Sequence, residues 1–496
     1  MFVDELLAQR SVVAVIAILS GGMLNGSAFA ATPASAGRPV ASLVVARADR
    51  YAAAMISDVP FVRQKPDFCG EACVEMYLRK LGHAIDQDQV FVASELDPTL
   101  GRGCYTADLE RAVTNLGFRP GRVGSTARVA HLAEDMEANW QKLHAALAGG
   151  APSIVCMRFD ARPNTTEHFR LVLGYDPARD EVLFHDPAVK DGAYQRMSRA
   201  TFLDLWPLKY SPQEWTLIRL QLDVGTIKAP PRTRGFQPAD YCQHILSLKS
   251  KLPKGDFKVL IEPPFVVVGD EPLETIKERA ADTIAWAVKR LKAEYFANDP
   301  DHIIDVWLFK DNESYEKNVV QLWGSKPTTP YGYYSPANRA LVMNISTGGG
   351  TLVHEIVHPF VHANFRECPD WLNEGLGSLY EQCGEADGQI RGRTNWRLAG
   401  LQKAIRAERV PSFEHLCSQT GGKFYTADPG TNYSQARYLC YYLQERGLLK
   451  KFYHDFYVNR RADPTGYETL KQSLGVNDME AFHADWQAYV MKLKFP

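Results

Sequence analysis

The segment His354-Glu355-Ile356-Val357-His358 constrains this chain more than any other. The pattern requires a helix, because histidines at i and i+4 then lie on one face and can grip one ion. Glu355 is rotated about 100° from His354 and can still meet a water at that ion. Zinc lowers the pKa of such a water toward ~7, and a carboxylate can take its proton. His354 and His358 are therefore candidate zinc ligands and Glu355 the candidate catalytic base.

A catalytic zinc site usually has three protein ligands and one open position. The third candidate is Glu374, sixteen positions past His358 in Pro369-Asp370-Trp371-Leu372-Asn373-Glu374-Gly375-Leu376. That gap lets the first helix, expected over residues 351–364, end and a second, over 371–382, return across it. Asp370 suits an N-cap, and Gly375 and Gly377 leave room for close packing of the two helices. Pro359 removes a backbone donor and is expected to kink or end the first helix. His362 is a rival ligand across that proline. Ahead of the motif, residues 265–268 and 303–309 read as strands and 273–296 as a long helix. Residues 331–334 and 339–345 read as a strand pair joined at 335–338.

HEIVH followed by WLNEGL resembles the gluzincin metallopeptidases. The resemblance is clear over residues 331–380 and loose over the second half of the chain. It implies a zincin-like fold, a Zn2+ cofactor and a glutamate as third ligand. It also implies that the 339–345 strand is a sheet edge that pairs with an extended substrate. A tyrosine or histidine downstream should stabilise the oxyanion; Tyr433 is the first choice and Tyr425 the next.

A second constellation lies near the other end. Gln64-Lys65-Pro66-Asp67-Phe68-Cys69-Gly70 opens a helix expected over 68–81. A cysteine at a helix N-terminus sits at the positive end of the dipole, which favours the thiolate. Asp67 is a plausible cap, and Gln64 could offer its amide to an oxyanion. His168 starts one strand, and the next, 181–185, ends at Asp186-Pro187. Antiparallel pairing would bring Asp186 beside His168, so that Asp186 orients the imidazole and His168 activates Cys69. His185 is an alternative base, but alternation turns it to the opposite face from its neighbour. This set resembles the papain-like peptidases that process double-glycine leaders of bacteriocins, over about residues 59–206. Glu71 departs from that pattern: a carboxylate there opposes the thiolate if it faces inward.

The organisation follows from these anchors. Residues 1–30 read as a signal peptide, with an apolar core at 11–20 and Ala28-Phe29-Ala30 before the cleavage point. An uncleaved anchor is the alternative. Residues 31–57 read as a flexible leader, 58–222 as the papain-like domain, 223–237 as a Pro-containing linker and 238–496 as the zincin-like domain. Helices followed by an antiparallel sheet in the first domain make it α+β, and the fold class is α+β in two domains. A net charge of −2 gives no reason to expect a nucleic-acid partner. No stretch beyond the signal segment is apolar enough for a membrane span. Nine cysteines in an exported chain permit disulfides; Cys69–Cys104 and Cys368–Cys383 are candidate pairs. The expected function is an exported peptidase, periplasmic or secreted, acting on peptide or protein substrates with a zinc site and a Cys-His-Asp site. One alternative keeps the zinc enzyme and makes the first domain an inactive peptide- or ligand-binding module. Another makes both domains an inactive scaffold.

Overall fold

The computed structural model describes residues 51–495 apart from 121, 122, 224 and 421. The expected signal segment, and the leader up to residue 50, lie outside the described residues. The chain divides into two units between Ser250 and Lys251.

In the first unit, helix Cys69–Lys80 is buried on all sides over most of its length: Ala72, Cys73, Val74, Met76, Tyr77 and Leu78 all enter the core. Its expected cap is absent. Phe68 holds the N-cap position without a side-chain bond. Asp67 instead takes a left-handed backbone (φ 65°) and accepts from the Gly103 N–H at 2.9 Å. The 101–104 loop crosses so closely that a Cβ on Gly103 would lie 1.9 Å from the Asp67 carbonyl oxygen. Helices Gln87–Ala93, Thr106–Asn115 and Leu132–Ala148 complete the helical layer ahead of the main sheet strands. The sheet runs Gly124–Arg128, Glu214–Leu220, Ser153–Arg158, Glu167–Asp176, Glu181–His185, Gln195–Ser198, and the short strand Ala54–Met55 also joins Glu167–Asp176. All its pairings are antiparallel.

The residues expected to be a linker are hydrogen-bonded to this unit. Lys228 N donates to the Leu116 carbonyl at 2.9 Å and Gln89 Nε2 to the Pro230 carbonyl at 3.1 Å. Helix Pro238–Lys249, placed in the second domain on sequence grounds, packs on helix Gln87–Ala93 and the Pro98–Leu100 turn. A Pro pair and missing apolar period describe the side chains of 225–235; they do not reveal where its backbone groups bond.

The second unit holds a five-stranded sheet in the order Lys258–Glu262, Phe265–Gly269, Ile304–Phe309, Ala340–Asn344, Gly332–Ser335. The two central pairings are parallel, so successive strands are reached through helices. The expected edge strand is therefore interior: Ala340–Asn344 is paired on both sides, and Gly332–Ser335 forms the edge. The helix expected over 273–296 is α at Leu273–Glu278, π at Arg279–Ala285 and α again at Trp286–Glu294.

Helix Gly349–Asn364 continues past Pro359 instead of ending there. One interior proline costs about 3 kcal/mol. Leu352, Val353, Ile356, Val357, Phe360 and Val361 are buried on this helix, and burying one such side chain is worth roughly 1.5–3 kcal/mol, so packing outweighs the lost bond. Helix Asp370–Leu379 follows, then the hairpin Cys383–Ala386/Gln389–Gly392 and helices to Lys492. Asp370 lies inside its helix, with Pro369 at the N-cap. All nine cysteines are free, so neither candidate disulfide forms. Among the described residues, no helix is long and apolar enough to cross a membrane.

Candidate functional site

In the first unit, the register of two neighbouring strands brings His168 and Asp186 together. Leu171 is opposite His185, so continuing the antiparallel register by one residue sets Asp186 opposite Arg170. His168 lies two residues from Arg170 and hence on the same face. His168 Nε2 is 2.7 Å from Asp186 Oδ1, which also accepts from the Ala188 N–H at 3.1 Å. Arg170 Nε donates to Oδ2 at 2.8 Å. All three side chains are buried. Burial alone would raise the Asp186 carboxyl, but His168 and Arg170 together hold it down at about 2. Arg170 is a member of the site that motif matching missed. Alternation along the strand, two residues from His168, was the signal available.

Such a carboxylate gives stability above its unfolded pKa of 3.8 and gives it up as pH falls through the folded value. The network should therefore lose on the order of 2 kcal/mol between about pH 4 and pH 2. Denaturant melts across that window should show this acid limb in the wild type and a flatter one in Asp186→Asn; equal slopes would refute the assignment.

Cys69 stands at the first position of its helix and is half-buried. Its thiol meets the backbone of Phe169, the residue after His168. Among the described residues, no hydrogen bond joins the thiol to the imidazole itself. Since Nε2 of His168 is turned to Asp186, Nδ1 is the nitrogen left for a thiol. Burial pushes the thiol up to about 12; the Phe169 backbone works against this, and the Glu71 and Asp67 charges add to it. Glu71 does turn inward. It is 0% exposed, its Oε1 accepts from the Cys104 N–H at 2.8 Å and its Oε2 has no hydrogen-bond partner among the described residues. Burial lifts its carboxyl to about 7. Gln64 is tied next to Asp186: its backbone N–H donates to the Pro187 carbonyl at 3.0 Å, and its side-chain Oε1 is buried without a partner among the described residues. His185 is turned away, between the Val59 carbonyl (3.0 Å) and the Tyr194 N–H (2.9 Å), and holds the fold there.

In the second unit, the two helices bring the expected metal set together. His354 Nε2 lies 3.2 Å from Glu374 Oε2, and His358 Nε2 lies 3.8 Å from the same oxygen. His358 Nε2 is also 3.7 Å from Glu355 Oε2. One ligand atom each from His354, Glu355 and His358 fall within 4.8 Å of one another. Glu355 Oε2 accepts from the Tyr334 N–H at 2.8 Å, on the edge strand, and burial raises its carboxyl. Glu374 Oε1 accepts from Tyr425 Oη at 3.0 Å. Tyr433 lies beside Tyr425, with ring centroids 6.3 Å apart. Burial, and then the Glu374 charge, push both phenols up, so both remain O–H donors. The structure thus sets both tyrosine candidates at Glu374. His362 is exposed and outside the cluster.

The donor chemistry fits a zinc ion. Two imidazoles and a carboxylate are its ordinary N and O ligands. The His358 Nδ1 is engaged at 3.0 Å by Asn373 Oδ1, and the His354 Nδ1 is 3.2 Å from Glu381 Oε1, so both rings present Nε2 inward. Three carboxylates, Glu355, Glu374 and Glu381, surround the pair, and Arg397 forms an ion pair with Glu381. Asn373 and Glu381 were not singled out in the sequence. Gly377 faces the His354 ring, where a Cβ would lie 3.0 Å from Nε2, whereas Gly375 faces Cys440 on helix Pro429–Glu445.

No curated protein matches the chain. Among solved structures it is similar to the peptidase domain of Streptococcus ComA, described as a bi-functional ABC transporter involved in a quorum sensing pathway. That likeness has 17% identity and a TM-score of 0.23, and covers 32% of this chain and 98% of the other. It is also similar to EndoMS in apo form, with 10% identity and a TM-score of 0.09, over 42% of this chain and 100% of the other. Residues 56–212, within the first unit, match the Peptidase_C39 like family, so the chain carries a Peptidase_C39-like domain there.

Proposed function

We propose that this chain is an exported peptidase with two hydrolytic centres, a zinc site in the second unit and a Cys69-His168-Asp186 site in the first. The observation that carries the zinc half is the convergence of His354 Nε2, His358 Nε2 and Glu374 Oε2 beside the Glu355 carboxylate. Three donors leave a position open, as catalysis needs and a structural site does not. His354, His358 and Glu374 would hold the ion, which supplies Lewis-acid polarisation of a peptide carbonyl when bound. Glu355 takes the proton of the attacking water and returns it to the leaving amine. The phenol of Tyr433 or Tyr425 donates to the oxygen on which charge develops.

The C39-like fold supports peptidase function for the first unit. There His168 Nδ1 accepts the Cys69 proton as sulfur attacks the carbonyl, and Asp186 stabilises the resulting imidazolium. A second reading, in which this unit only binds peptide, is favoured by one observation: Glu71, two residues from Cys69, is turned inward and 0% exposed, where its charge opposes a thiolate. Export rests on the apolar core at 11–20 and the Ala28-Phe29-Ala30 site in the sequence.

A peptide-library digest with the purified full-length chain separates the centres. One set of cleavages should vanish with a chelator and return with added zinc, and a second should vanish with iodoacetamide. Cleavage indifferent to both reagents would reject the two-centre reading. Loss to the chelator alone would leave the first unit as a binding module.

A further inference from the structure

Helix Asp370–Leu379 does more than deliver Glu374. Positions 374, 377 and 381 are spaced i, i+3 and i+7, which places them on one side of a helix. Each meets a different part of the His354 ring: Glu374 Oε2 is 3.2 Å from Nε2, Gly377 has no side chain where the ring lies, and Glu381 Oε1 is 3.2 Å from Nδ1. Glu381 lies just past the helix end, after the C-cap Tyr380, and its N–H stays tied to the Ser378 carbonyl at 3.3 Å. Ser378, one turn after Glu374, turns its hydroxyl back to the Glu374 carbonyl and offers the ring nothing.

Glu381 is itself held on both oxygens. Arg397 Nη2 donates to Oε1 at 2.6 Å and Nε to Oε2 at 2.8 Å, and Asn395 Nδ2 donates to Oε2 at 3.0 Å. A two-pronged arginine–carboxylate pair fixes orientation as well as charge. The His354 Nδ1 contact is close but off the angle of a hydrogen bond, and Nδ1 has no other partner among the described residues.

We propose that Glu381 and Arg397 are positioning residues of the second-unit site: the Arg397-clamped Glu381 carboxylate takes the His354 Nδ1 proton in a hydrogen bond and so commits Nε2 to the ion. This rests on the zinc reading above. A carboxylate behind a ligating histidine fixes its tautomer and raises its basicity, and removing such a partner weakens metal binding by about 10–100-fold. The reach back from beyond the helix end explains why no motif marks Glu381.

The test is zinc affinity of the full-length chain, measured by chelator competition and needing no substrate. Glu381→Gln and Arg397→Lys should each bind zinc about 10–100-fold more weakly than wild type. Glu385→Gln, an exposed carboxylate on the neighbouring hairpin that pairs with Arg290, should bind as wild type does. Wild-type affinity in Glu381→Gln overturns the proposal while leaving the zinc site standing. A wild type that binds no zinc overturns the zinc reading and the positioning role with it. A second readout covers variants that fail to fold: 15N-histidine spectra of the zinc-loaded wild type should show His354 protonated at Nδ1 and metal-bound at Nε2. The opposite assignment overturns the proposal without any substitution.

Discussion

Glu355→Gln should lower chelator-sensitive peptide hydrolysis by about 10²–10⁴-fold, the usual worth of a positioned general base, with zinc affinity nearly unchanged. Glutamine keeps the size of the side chain and an oxygen that can accept the Tyr334 N–H, now made at 2.8 Å. It cannot take a proton. The ligand atoms His354 Nε2, His358 Nε2 and Glu374 Oε2 come from other residues, so the ion should stay. The measurement is a rate on one library-derived peptide beside a chelator titration of both proteins. Full activity in the variant would remove Glu355 from the mechanism, and lost zinc together with lost activity would make it a ligand.

The second large effect concerns Cys69. In the two-centre reading, iodoacetamide should modify Cys69 before the buried cysteines at neutral pH, and His168→Ala should slow that reaction by at least about tenfold, one unit of effective thiol pKa. Glu71 makes the expectation sharper. Its carboxyl titrates near 7, so above that pH a buried negative charge stands two residues from the sulfur and opposes the thiolate. Glu71→Gln should therefore speed alkylation, and the gain should be larger at pH 8 than at pH 6. Mass spectrometry of the modified peptide reads both rates. If Cys69 stays unmodified in every variant, the first unit is a binding module, and the C39-like fold serves recognition without cleavage.

How much of this was legible in the sequence depends on the distance over which each contact acts. His354 and His358 are one helical turn apart, and Glu374 follows on the next helix, so spacing alone could propose them as a set. His168 and Asp186 lie on strands joined by a short turn, which makes their pairing nearly local. Arg170 was equally accessible by alternation, but motif matching stops at the residues it already knows. Sheet order is a different matter. That Ala340–Asn344 is interior follows from parallel neighbours reached through helices, and no local pattern contains that information. The direction of Glu71 was likewise undetermined, because an acid inside a helix reads as solvent-facing until the 101–104 loop is known to cross over it. Residues 238–249 were assigned to the second domain from the Pro-containing stretch before them, and their place as a helix of the first unit rests on contacts distant in sequence.

The edge strand Gly332–Ser335 bears on solubility. Asn344 donates to the Tyr331 carbonyl, so in this antiparallel pair Tyr331, Tyr333 and Ser335 face inward, and Gly332 and Tyr334 turn their backbone groups outward. An open sheet edge is a template on which foreign chains can add a strand and aggregate. Here the edge is four residues long, and one of its two outward donors, the Tyr334 N–H, is already covered by Glu355. The carboxylate read as the base therefore also caps one of the two open donors of this edge. An alanine at 355 would uncover that donor as well as remove the base, so precipitation of such a variant would report on the sheet edge and not on the chemistry.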